Sequence, residues 1–102
     1  MKTIELDNGF KCSIDESVFD DWELTEMVAD VNGIQLLGTD ATELEVIEGF
    51  RLTNQIFRKI LGVKGYKALK DHVRDKSGRV PPEAMQGLLE ELFAKVGEQG
   101  KN

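Results

Sequence analysis

PEAMQGLLEELFAKV, residues 82 to 96, is the stretch on which the reading of the fold turns. Met85, Leu88, Leu89, Leu92, Phe93 and Val96 recur at i, i+3, i+4, i+7 spacing, the period of one helix face. Pro81 and Pro82 stand at its start, where a missing amide donor costs little. The spacing predicts a helix over about 82–96. A stripe this apolar on a terminal helix is more than so small a body need hide. Leu88, Leu89, Leu92, Phe93 and Val96 therefore read either as core or as a face for self-association or for a partner helix. Beyond it, residues 97–102 are polar and contain glycine, and are expected to form a flexible C-terminal tail.

Working back from that helix, Ser77 and Gly78 make a turn. A short helix is expected over about 65–75, with Tyr66, Leu69 and Val73 inward and Lys67, Lys70 and Arg74 outward. Gly62 is placed as a left-handed cap closing a longer helix over about 40–61. Leu44, Ile47, Phe50, Phe57, Ile60 and Leu61 mark the expected buried stripe of that helix, and Thr39 with Asp40 its cap. Gly33 and Gly38 bracket a short apolar connection. Before it, Asp15 or Ser17 can cap a helix over about 16–32. Phe19, Trp22, Met27, Val28 and Val31 lie near one face of that helix, and Glu16, Asp20, Asp21, Glu23, Glu26 and Asp30 cover the other.

At the start, Ile4 and Leu6, then Phe10, Cys12 and Ile14, alternate with period 2 around Asp7, Asn8 and Gly9, a pattern that predicts a β-hairpin over about 2–14. The expected fold is mainly α: an N-terminal hairpin followed by four helices, packed as one domain over 1–102. At 102 residues the chain suits a single modest core.

Composition narrows the function. Forty per cent hydrophobic and 31% charged residues, with 2 prolines, describe an ordinary folded domain rather than a disordered one. No run approaches the roughly 20 apolar residues of a membrane span, and the Met1 to Glu5 start lacks the apolar centre of a signal peptide, which points to the cytoplasm. Residues 1–50 carry 13 acids and 2 bases, residues 51–79 carry 2 acids and 9 bases, and residues 80–102 carry 4 acids and 2 bases. Such segregation is satisfied by folding the basic segment on the acidic one or by stacking copies head to tail. Otherwise the two signs remain solvated faces.

No catalytic constellation is visible. His72 has no serine or cysteine motif to pair with, and it reads as a surface residue. Cys12 alone makes no disulfide or zinc cluster and reads as packing. The acidic run from Asp15 to Asp30 lacks calcium-loop spacing: the twelfth residue from Asp30 is Ala41 rather than glutamate. Gly62 and Gly65 beside Lys64 complete no phosphate-binding motif. Catalytic, cofactor and metal roles are therefore assigned to no residue. The basic run from Arg51 to Arg79 is the feature that could touch nucleic acid, but its aromatics fall on the buried stripe and the acidic segment opposes phosphate. Trp22 reads as core or as an interface anchor.

Three stretches carry a family resemblance. They are the acidic, tryptophan-bearing segment from Asp20 through Trp22 to Glu26, the run from Ile60 through Gly62, Tyr66 and His72 to Asp75, and Gly78, Arg79, Val80, Pro81 leading into the last helix. In these the chain resembles the tail assembly chaperones of long-tailed bacteriophages and prophages. The resemblance implies a mostly helical, non-enzymatic protein of the host cytoplasm, and the apolar last helix adds the expectation of a homo-oligomer. Such a protein escorts the tape-measure protein, helps recruit tail-tube subunits and is absent from the finished virion. It supplies no site residues to carry over. The alternative is a small regulatory DNA-binding protein using the basic helices of residues 51–79.

Overall fold

The computed structural model describes residues 2–100, with side chains through Lys95. The hairpin forms as expected: β1 (Lys2–Glu5) pairs antiparallel with β2 (Lys11–Ile14), Ile4 opposite Cys12. Its turn differs in detail from the Asn-Gly type. Leu6 N–H donates to the Phe10 carbonyl and Gly9 N–H to the Leu6 carbonyl, and only Gly9 takes a positive φ, 87°. Asp7, Asn8 and Gly9 thus make a three-residue loop that places glycine at its left-handed position. Alternation puts Ile4, Leu6 and Ile14 in the core, with Phe10 and Cys12 packed at its margin.

Among the described residues three α-helices follow rather than four. The expected 16–32 helix divides: Glu16–Asp20 is a 3-10 turn capped by the Asp15 carboxylate, and α1 runs from Trp22 to Leu37. The division falls at Asp21, whose backbone is extended (φ −86°, ψ 119°) and whose carboxylate accepts from Glu23 N–H at 2.8 Å. Asp21 is therefore the true N-cap. At the other end, the apolar connection expected between Gly33 and Gly38 is helical, since an interior glycine costs a helix only about 1 kcal/mol.

Helix α2 (Glu43–Val73) starts later than the expected 40, because Thr42 forms the cap. Thr42 Oγ1 accepts from Glu45 N–H at 3.2 Å while the Glu45 carboxylate accepts from Thr42 N–H at 3.0 Å, a reciprocal capping box. The two helices expected over 40–61 and 65–75 form one 31-residue span kinked at Gly62. There φ is 77° and ψ 166°, a conformation essentially confined to glycine. The expected boundary survives as a bend, and Gly65 lies inside the helix. Helix α3 (Pro82–Gly100) begins at the expected proline and extends past 96. Of the expected tail, 101–102 lie outside the described residues.

α2 is the hub, touching α1, β2 and α3. Ile34 lies against Gly49, and Asp21 meets Lys59 at 2.9 Å, so α1 runs antiparallel to the first half of α2. The core joins Ile4, Leu6 and Ile14 to Leu24, Val31, Leu52, Ile56, Phe57, Ile60, Leu69, Leu88, Leu89 and Leu92. Phe57 stacks on Tyr66 across the Gly62 bend, with centroids 5.1 Å apart and planes at 8°. The hairpin is pinned by both long helices. His72 Nε2 donates to the Asn8 carbonyl at 3.0 Å, and Lys95 Nζ to the Glu5 carbonyl at 2.8 Å. With extents of 38 × 37 × 21 Å the molecule is about two helix diameters thick, so each helix keeps an outward side.

Candidate protein-interaction surface

The residues expected to meet a partner divide three ways. Leu88, Leu89 and Leu92 are buried inside the single chain, Leu92 at 1% exposure, and Phe93 is half-buried, edge-on to Phe19 at 5.9 Å. Trp22, at the first position of α1, is 73% exposed, because the extended Asp21 turns the chain before the helix begins. The Val96 side chain lies outside the described residues.

Six of the eight large apolar residues exposed among the described ones lie elsewhere, between 36 and 50, at the elbow where α1 gives way to α2. Leu36, Leu37, Leu44, Val46, Ile47 and Phe50 all project outward there, Leu44 at 79%, Ile47 at 62% and Phe50 at 54%. Leu44, Ile47 and Phe50 were expected in the buried stripe, and this expectation is corrected. α2 meets α1 through Gly49 and buries Leu52, Ile56 and Ile60, and at 100° per residue Ile47 points roughly 180° from Ile56. That angle could have identified the ridge in the sequence. Spacings of three and four, taken one step at a time, let the face drift around the helix.

Two depressions flank the ridge. One, about 190 Å³, is walled by Val31, Ile34, Ala41, Val46, Gly49 and Phe50. The other, about 360 Å³, is walled by Leu44, Leu52 and Ile34 together with Asp30, Glu45 and Glu48. Ile34 borders both, so they lie on either side of the α1–α2 seam. Residues 30–50 contain five acids, Asp30, Asp40, Glu43, Glu45 and Glu48, and no base. An apolar ridge beside an acidic depression is suited to a side chain with an alkyl stem and a cationic head.

The basic segment is not folded broadly onto the acidic one. Between elements, Lys59–Asp21 is the ion pair that joins them, while Arg51–Glu48 is local to α2. Lys59 and the Glu23 N–H hold the Asp21 carboxyl below the usual carboxylate range. Four of the nine bases between 51 and 79 already have contacts: Arg51 and Lys59 in these pairs, Arg74 with Asp71, and Lys70 over the Tyr66 ring at 4.4 Å. This weakens the case for a continuous phosphate-binding face.

His72 is exposed and hydrogen-bonded to the hairpin, and burial pushes the Cys12 thiol up, away from reactivity. Among the described residues no group of three or more histidine, cysteine or acidic side chains is placed to hold a metal ion. No helix among them is long and apolar enough to cross a membrane. Comparison with protein-family models, with curated proteins and with solved structures gave no match.

Proposed function

We propose that the chain is a non-catalytic, protein-binding chaperone of phage tail assembly, one that holds the tape-measure protein and recruits tail-tube subunits. The observation that carries the reading is the elbow. Six large apolar side chains, Leu36, Leu37, Leu44, Val46, Ile47 and Phe50, stand exposed on two helices that are capped and packed from behind. Large apolar side chains left exposed within a few turns of a small folded domain mark a site where another protein can bind. The sequence resemblance names the class of partner. The ridge also suits a holding role, because a helical apolar row is a reversible seat for an amphipathic segment of a long client.

The test is co-expression with the tape-measure protein of the same locus, followed by size-exclusion chromatography with light scattering. The expected result is co-elution in a complex that keeps the tape-measure protein in solution, lost in Ile47→Asp and Phe50→Asp variants whose circular dichroism matches the parent. A parent chain that elutes alone beside an aggregated tape-measure protein defeats the proposal. Salt-sensitive binding to duplex DNA instead supports the regulatory alternative on residues 51–79.

A further inference from the structure

We infer that the occupant of the elbow is a basic amphipathic helix, with apolar side chains on the Leu44–Ile47–Phe50 ridge and Lys or Arg side chains in the depression formed by Asp30, Glu45 and Glu48. The inference rests on the elbow being the binding surface and specifies what it binds. Three observations choose this occupant.

The first is charge. Every ionisable residue from 30 to 50 is an acid, and Arg51, the nearest base in sequence, is turned onto Glu48 with Nε 3.0 Å from its carboxylate. A partner approaching the ridge therefore meets negative potential around an apolar centre, and complementary charge favours a basic flank. The second is shape. Leu44 and Leu52 share the 360 Å³ depression with the three acids, so a lysine or arginine can lay its methylenes on leucine and carry its charge to the carboxylates. On the other side of Ile34, the depression walled by Val31, Ala41, Val46 and Phe50 offers a second, apolar seat.

The third observation excludes the other occupant most readily imagined, a second copy of this chain. Two elbows meeting symmetrically set acid against acid. A head-to-tail contact on the basic half of α2 finds, among the described residues, Val63 there and Trp22 beside the Asp21–Lys59 pair as exposed large apolar side chains. Two separate side chains on different helices do not repeat the row of Leu44, Ile47 and Phe50.

The test uses the full chain and labelled synthetic helical peptides that share one apolar i, i+3, i+4, i+7 pattern and differ only in lysine or glutamate flanks, read by fluorescence anisotropy. The lysine peptide is expected to bind at least about tenfold more tightly than its glutamate counterpart. The preference should shrink as salt rises from about 0.05 M to about 0.5 M. Asp30→Lys combined with Glu48→Lys should erase or invert it, and Ile47→Asp should abolish binding of both peptides. Equal binding of the two peptides, or no binding of the lysine peptide, overturns the inference. Concentration-dependent self-association that disappears in Ile47→Asp also overturns it, in favour of a second copy. The two readings fail separately. Ile47-dependent capture of the tape-measure protein without peptide discrimination removes the charge inference alone, whereas Ile47-dependent lysine-peptide binding without such capture removes the tail-assembly reading alone.

Discussion

The apolar stripe of α3 and the apolar ridge of α2 look alike in the sequence and end on opposite sides of the protein surface. Leu88, Leu89 and Leu92 close the core, while Leu44, Ile47 and Phe50 project into solvent. The difference arises from the rest of each helix. α3 has no second apolar face, so its one stripe must serve the core if the helix is to dock at all. α2 carries Leu52, Ile56, Phe57, Ile60 and Leu69 for that purpose, which leaves the apolar residues of its first two turns without a partner in the chain. Periodicity shows which residues share a face, and only the competition among faces decides which one the chain buries.

The sharpest way to break this comparison is a charge in α3. Leu92→Asp places a carboxylate where exposure is 1%, among apolar core side chains. An isolated buried charge costs several kcal/mol, a large share of the roughly 5–15 kcal/mol available to a domain of this size. The expected outcome is loss of the cooperative thermal transition followed by circular dichroism. A variant that melts like the parent but sediments as a smaller species would return the α3 stripe to the interface.

The kink in α2 comes next. Gly62→Ala introduces a methyl that meets no atom within 4 Å, so the whole effect is backbone strain at φ 77°, ψ 166°. A loss of about 1–3 kcal/mol is expected in urea unfolding. Because Phe57 and Tyr66 stack across the bend, their near-ultraviolet dichroism should change along with it. An alanine variant as stable as the parent would mean that α2 can straighten, and that the ridge and the basic half are not held at a fixed angle.

Removal of the Thr42 hydroxyl loosens the start of the ridge itself. Thr42→Ala leaves the Glu45 N–H without its acceptor, and a cap of this kind contributes about 1 kcal/mol. Fast amide exchange confined to the first turn of α2 is the expected signature. Exchange unchanged there would show that contacts of the elbow other than the cap fix the ridge.

These elements also show how far the sequence could be read. The hairpin was legible because alternation and a glycine turn are local signals, and the α3 start was legible because two prolines mark it. The glycine at 62 was correctly seen as a break, but whether a glycine ends a helix or kinks it depends on what packs beyond, here Phe57 against Tyr66. The split at Asp21 was missed because Asp15, Ser17 and Asp21 all offer capping chemistry, and tertiary packing chooses among them. The exposed ridge is the least legible part. Trp22 alone fits either core or surface, and Leu44, Ile47 and Phe50 fit a buried stripe until the second apolar face of α2, Leu52, Ile56 and Ile60, is set against them.

A smaller effect is expected from the one ion pair that ties α1 to the middle of α2. Lys59 and the Glu23 N–H lower the Asp21 pKa, and Asp21 raises that of Lys59. A depressed carboxylate contributes stability above its unfolded pKa, about 3.9, and loses it as pH falls through the folded value. The raised lysine contributes below about pH 10.4 and loses its share as pH rises through its folded value. Asp21→Asn keeps the cap and removes the charge. Its melting temperature should therefore lie slightly below the parent's at neutral pH and converge on it below about pH 4. A variant that melts with the parent across that whole range would place the role of Asp21 in capping alone.

The smallest change in stability, and the one that completes the contrast with Leu92, is expected on the ridge. Ile47→Asp puts the same charge on an equally apolar position, but at 62% exposure the carboxylate stays hydrated. A substitution at such a site shifts stability within about 0.5 kcal/mol, measured by the same urea titration. Ile47 is the fifth residue of α2, past the first turn in which the helix dipole acts most strongly, so dipole effects contribute little. A loss as large as that of Leu92→Asp would show that Ile47 packs inside the folded chain, and the elbow would cease to be a free surface. Near-neutral stability combined with lost partner binding separates a residue kept for folding from one kept for recognition, although both belong to amphipathic helices of similar composition.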